Sequence, residues 1–261
     1  MTSDKITARV KALLAQAEHP GTPPAEAQAA AAKAAELMMR HAITEAQLRA
    51  DTGKPPEPVG RLDYTVAGTG GHGRARTAAL TAITRAYGCR TVTFGNDARN
   101  NPRTIGIIGT QSTLAALRVL LPSIEMQMHM AARAATRAYG TELRAAASWE
   151  SPAERRTLTT AFYRDYLRGY GLGVADQIDR TRTSIAAETT TNGTSTALVL
   201  AGDTTRIQAE YTRQFPTLGK APRPLPVRHS GALRQGHADG GRADLGDRAV
   251  GSDRRQITPG P

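Results

Sequence analysis

Apolar residues at Ile6, Val10, Leu13, Leu14 and Ala17 recur at i, i+4, i+7, i+8 and i+11, which places them on one face of a helix. Thr2 or Ser3 can cap its start. His19-Pro20-Gly21-Thr22 then breaks the pattern, because Pro and Gly favour a turn. A second helix is expected from Thr22, with Pro23 at the first helical position, where its missing N–H costs nothing. Its inner stripe is Ala27, Ala30, Ala31, Ala34, Leu37, Met38 and His41. A hairpin this rich in alanine packs closely but buries little area, so it needs the rest of the chain or a partner. Thr44 and Gln47 read as a capping box for a third short helix, with Leu48 pointing inward.

Residues 51–76 are rich in Pro and Gly and read as a linker, with one candidate strand at Leu62–Val66. Next comes a helix carrying Ala79, Leu80, Ile83 and Tyr87, with Gly88 where a left-handed cap belongs. Arg90–Phe94 and Thr104–Ile108 are β-rich runs on either side of a polar turn, most simply joined as a hairpin. Thr110 is placed to cap a long helix with Leu114, Leu117, Leu121, Ile124 and Met128, which Pro122 should kink or split. Ser151-Pro152-Ala153-Glu154 combines a cap, a first-turn proline and a closing glutamate. The helix it starts presents Leu158, Phe162, Tyr166, Gly169 and Gly173 on one face and runs to about Ala187. Glycines inside a helix cost about 1 kcal/mol each against alanine, so these two imply tight packing. A short strand at Ala197–Leu200 and a helix with Ile207, Tyr211 and Phe215 end the ordered part. Residues 217–261 have too little apolar content to fold alone and read as a disordered basic tail, with a stiff proline-rich spacer at Lys220–Arg228.

The chain of 261 residues can bury a core without covalent staples. Its one cysteine, Cys89, excludes an internal disulfide and fits a reducing, cytoplasmic setting. Lys5, Arg9 and Lys11 interrupt any leader-like apolar stretch, and no run approaches the roughly 18 residues of a membrane span. The net charge of +11 invites a polyanion partner. The excess is spread along the chain rather than gathered in one patch. Among the 34 basic residues only Lys5, Lys11, Lys33, Lys54 and Lys220 are lysines, which fits arginine-rich coding as well as a nucleic-acid surface.

Few motifs carry chemistry. Gly68-Thr69-Gly70-Gly71-His72-Gly73 matches the glycine pattern of dinucleotide sites, with Asp97 at a suitable distance. The second expected strand leads to a turn and a third strand instead of a crossover helix, so a flexible glycine linker is the preferred reading and no cofactor is expected. The six histidines show no metal-ligand spacing, so no metal site is expected either. There is no nucleophile elbow or lysine phosphate loop, and Cys89 reads as a small core residue. The best candidate surface is the helix around Tyr163, Arg164, Arg168 and Tyr170: arginines at i, i+4 with adjacent tyrosines can hold phosphates and stack on bases. A core helix whose arginines solvate one side, with Asp165 neutralising them in part, is the competing reading.

Lys5-Ile6, Leu13-Leu14-Ala15, Ala17-Glu18, Glu26-Ala27, Ala32 to Met38 and His41-Ala42-Ile43 together resemble the N-terminal domain of the domain-of-unknown-function family numbered 2786. Tyr87 to Arg90, Ile108 to Thr110 and Tyr166 to Gly171 are similar to its companion domain. The resemblance implies an actinobacterial or phage setting and supplies no activity.

The reading is α+β and helix-dominated: a helical hairpin module at 1–50, a linker at 51–76, a helical domain with a small antiparallel β-hairpin at 77–216, and the tail. The function expected is a non-catalytic accessory protein with weak nucleic-acid binding. The alternatives are a protein-interaction module acting through the N-terminal hairpin, and an enzyme with a dispersed site, for which no motif speaks.

Overall fold

The computed structural model describes residues 3–19, 21–23, 26, 30, 33–34, 36–38, 40–41, 55–94, 102–146, 151–188, 196–218 and 226–243. It is helix-dominated α+β: α1 (Ser3–Glu18), β1 (Val59–Val66), α2 (Gly70–Ala86), β2 (Arg90–Phe94), β3 (Arg103–Thr110), α3 (Gln111–Ala145), α4 (Pro152–Glu188), α5 (Thr196–Gln214) and α6 (Ser230–Gly240).

Where its side chains are described, the N-terminal hairpin follows the apolar pattern; Ile6, Leu14, Ala17, Ala27 and Ala31 lie outside them. After α1 the chain turns through His19–Thr22, where Thr22 donates its N–H to the His19 carbonyl (3.0 Å) and its hydroxyl to the Gln16 carbonyl (2.8 Å). The described residues between 26 and 41 are helical. Val10, Ala30 and Ala34 are buried, and Leu13, Leu37 and Met38 lean on the main core. The third helix expected at Thr44–Leu48 lies outside the described residues.

The sheet is larger than a hairpin. β3 lies between β1 and β2 and is antiparallel to both, with Leu62 opposite Ile107 and Thr91 opposite the same residue. The stretch read as a linker therefore supplies an edge strand and the first turns of α2. β1 signalled itself weakly because it is an edge whose outer residues, Arg61, Asp63 and Thr65, are exposed. β3 is apolar at Ile105, Ile107 and Ile108, all fully buried, as a strand covered on both faces requires. α2 and α3 cover one face with Leu80, Ile83, Leu117 and Leu121; α5 covers the other, where Phe215 meets Phe94 and Arg61 lies over both rings.

Three helix starts show how local chemistry sets the elements. Ser151 and Glu154 form the expected reciprocal box, the Ser151 N–H donating to the carboxylate (2.7 Å) and the Glu154 N–H to the hydroxyl (3.2 Å). Thr110 occupies the cap position of α3, but its side chain does not cap. Glu57 does so instead, accepting from the Ser112 N–H and, at 2.8 Å, from its hydroxyl. Pro122 does not split α3, which continues through it; the proline and Arg118, whose carbonyl loses its helical partner, are both exposed. The strand expected at Ala197–Leu200 is instead the first turn and a half of α5: a four-residue apolar run has no period of its own, and here it joins a helix that continues to Gln214.

α4 organises the rest. It packs on α2 and α3 on one side and receives α6 on the other. The contact with α6 is made by glycines on both helices. An added Cβ at Gly169 would lie 2.0 Å from the Leu233 carbonyl oxygen, and one at Gly173 2.1 Å from that of His237. On α6, Gly236 and Gly240 face the Tyr166 and Tyr170 carbonyl oxygens equally closely, both at 2.1 Å. Backbones approach this closely only where side chains are missing, which is why two G-x-x-x-G spacings face each other. Residues 226–243, inside the segment expected to be a disordered tail, are thus an ordered strap ending in a docked helix. Its entry is fixed by Asp165, whose carboxylate accepts the Arg228 and His229 N–H groups (2.8 Å each).

Candidate functional site

The glycine run after β1 is an ordered turn, not a flexible linker. Gly68 (φ +86°) and Gly70 (φ +57°) occupy backbone conformations that suit glycine. A Cβ on Gly73 would meet the Gly68 carbonyl oxygen at 2.6 Å. The run launches α2 with no side-chain cap and no acidic residue in its first turn, so the positive end of the helix is left uncompensated.

Arg164 of α4 lies directly on this helix end. Its guanidinium atoms sit 2.4–2.6 Å from where a Gly71 Cβ would be, so a side chain at that position would have to displace it. Its Nε is buried without a hydrogen-bond partner, and no described acid pairs with it. A cation at a helix N-terminus is electrostatically unfavourable unless an anion joins it.

Neighbouring groups form a connected network. His72 packs edge-on against Tyr163, ring centroids 5.0 Å apart. Arg76 donates to the Tyr163 hydroxyl (3.1 Å), to the Ala67 carbonyl (3.1 Å) and to His129 Nδ1 (2.6 Å). The Tyr163 hydroxyl lies 2.6 Å from the same Nδ1. With Arg76 as an obligate donor, that nitrogen accepts, so His129 is neutral with its proton on Nε2. Among the described residues the acid in this network is Glu125, 3.9 Å from Arg76; it is buried and also accepts from the Tyr64 hydroxyl (2.7 Å) and the Ala67 N–H (3.0 Å). Burial, then Arg164 and Arg76, lower the pKa of His72. Burial, then Arg76 and Arg133, lower that of His129 against the opposing pull of Glu125. Glu125 answers Arg76, and nothing described answers Arg164.

The structure gives the four residues singled out in the sequence different surroundings. Tyr163 (9% exposed) is inside the network and holds its two histidines and Arg76 in place. Arg164 is at the helix end. Arg168 pairs with Asp165 at 3.2 Å, on the side that anchors the α6 strap. Tyr170 (3% exposed) is under α6, ring-to-ring with Tyr166. The sequence missed Arg76, His72, His129 and Glu125. The glycine run was their signal, since a glycine-rich entry to a helix provides exposed N–H groups whatever the strand order around it.

Cys89 is buried, its thiol pushed up to about 12 by desolvation, as suits a core residue. Its sulfur lies 2.7 Å from where a Gly109 Cβ would be, while Gly171 meets Ala79 of α2 at 2.4 Å on the same measure. Gly109 and Gly171 are therefore close-packing positions. Among the described residues no group of His, Cys, Asp or Glu is arranged to hold a metal ion, and no helix is long and apolar enough to cross a membrane.

No curated protein and no solved structure matches the chain. The helical hairpin is different: residues 5–45 match the family model described as a protein of unknown function (DUF2786).

Proposed function

We propose that this protein is a cytoplasmic, non-catalytic accessory protein of phage or mobile-element type that binds nucleic acid weakly through its phosphates. The observation that carries the reading is the Arg164 guanidinium lying without an acid partner on the uncapped start of α2. A phosphate there would receive backbone N–H groups, the helix dipole and a guanidinium together, the combination that phosphate sites use. Arg76, His72 and His129 add donors around it, and the net charge of +11 raises the local concentration of any polyanion. Phosphate contacts position a strand without reading its sequence, so the binding is weak and sequence-tolerant. Arg168 contributes to the field of the α4 surface, with Asp165 offsetting it, and Tyr163 positions the cluster.

The test is fluorescence anisotropy with labelled single-stranded DNA, duplex DNA and RNA at about 50 and 200 mM salt, a range over which phosphate contacts weaken steeply. Arg164→Ala should weaken binding to all sequences alike and reduce the slope of log K against log salt by about one. An unchanged slope would remove Arg164 from the interface. A protein-interaction role is the second reading, supported by the exposed apolar ridge of Val119, Met126 (61% exposed) and Met130 (53%) on α3 and by the alanine-rich hairpin at 1–50. It requires a partner protein that binds wild type but not Met126→Lys.

A further inference from the structure

α2 runs parallel to α4: Gly71 lies against Arg164, Ala79 against Gly171 and Gly88 against Arg182. Ahead of the α2 start, the same side of α4 continues through Thr160 and Arg156, four and eight residues before Arg164. α2 does not cover this stretch, where Arg156 is exposed and Thr160 half-buried. α3 flanks it. His129 meets Tyr163, and the Cβ position of Gly140 lies 3.6 Å from the Thr159 methyl. Beside these two contacts α3 carries Arg133, Arg137 and Arg144, each one helical turn from His129 or Gly140 and each exposed. Arg133 is close enough for its charge to act on His129. The row from His129 to Arg144 is about 22 Å long.

Among the described residues neither these three arginines nor Arg156 forms an ion pair. Glu142, the acid on this half of α3, stands two residues before Arg144 and so off its face. Like charges one turn apart repel, and an anion laid along the row offsets that repulsion, as it does for Arg164 at the helix start. The arginines flank one seam from both sides, the arrangement that follows a single backbone. A duplex is stiff and carries two backbones separated by grooves of about 6 and 12 Å, so it cannot bend into the half-buried recess at Arg164. We propose that the seam between α3 and α4 is the path of a single nucleic-acid strand, its backbone running from the start of α2 between Arg156 on one side and Arg133, Arg137 and Arg144 on the other. The path rests on the reading of the α2 start as a phosphate site.

The test is fluorescence anisotropy of the full chain with a labelled strand of about twelve nucleotides, alone and paired with its complement, across a range of salt. Losing three phosphate contacts to a single strand reduces the slope of log K against log salt by about two, the loss expected of Arg133→Ala/Arg137→Ala/Arg156→Ala. Arg85→Ala/Arg180→Ala removes charge from exposed positions beyond the far end of the seam and should keep the wild-type slope. A slope unchanged in the triple variant but lowered in Arg164→Ala would overturn the path and leave the α2 site standing. A slope unchanged in Arg164→Ala, or no strand binding at low salt, would overturn both. Duplex bound as tightly as the strand, with the same loss of slope in the triple variant, would overturn the assignment to a single strand.

Discussion

Replacing Gly236 by alanine adds one methyl where the backbone of α4 stands in the way. The new Cβ would lie 2.1 Å from the Tyr166 carbonyl oxygen, about 1.3 Å inside ordinary contact. No flexible side chain can yield, so α6 must lift off. A gap of 0.5–1 Å already forfeits a quarter to a half of the dispersion attraction across a contact, and overpacking typically costs about 1–3 kcal/mol. Lifting α6 also stretches the bond from Tyr166 to the Asp239 carboxylate, a charged-acceptor bond worth about 1.5–3 kcal/mol. The better helix propensity of alanine returns about 1 kcal/mol. The balance is about 2–4 kcal/mol against docking of α6. Gly202→Ala is the control: it lies in α5 with nothing within 4 Å of its Cβ, so propensity alone acts and the protein gains up to about 1 kcal/mol. Amide hydrogen exchange over residues 230–240 reads docking directly. Gly236→Ala should cut protection there by tenfold or more, with α2 and the sheet little changed, and Gly202→Ala should not. Equal protection in wild type and Gly236→Ala would refute the close-packed account of the α4–α6 contact.

Two further outcomes follow from single contacts. Glu57→Ala removes the cap of α3 and should lower stability by about 1 kcal/mol in thermal unfolding, with Glu57→Gln retaining part of it; no change would mean that Ser112 finds water as readily. His72 and His129 titrate below the ordinary value of 6.5 in the fold, so the stability present above that value should be lost as pH falls through their folded values. Arg164→Ala removes one cause of the His72 shift and should reduce that loss; urea unfolding at pH 7.5, 6 and 5 measures it.

The elements legible in the sequence are those whose signal is local. The box at Ser151–Glu154, the left-handed Gly88 (φ +83°) and the period of α1 each depend on residues within a turn of one another. Long-range pairing is what escaped. β1 is half exposed and gains its identity from β3, whose paired residues lie 37 to 51 positions further along the chain. α6 is short and poor in large apolar residues; it is ordered because Gly236 and Gly240 match Gly169 and Gly173, a complementarity that neither segment displays alone. The same holds for the site. Arg164 and Arg168 were legible as arginines at i, i+4 with Tyr163 and Tyr170 beside them, but the partners of Tyr163 and Arg164 come from α2 and α3, and the glycines beside Arg164 read as a linker because the helix start they form is not visible in the sequence.

The most direct test of the account is the NMR titration of the His72 ring without and with a short single-stranded oligonucleotide. In the free protein its pKa should lie below 6.5, held down by burial and by the two arginines. A phosphate seated at the start of α2 would offset that charge and move the pKa upward, and Arg164→Ala would diminish the response. A His72 pKa unmoved by saturating oligonucleotide would contradict the account, because strand binding would then take place elsewhere on the molecule.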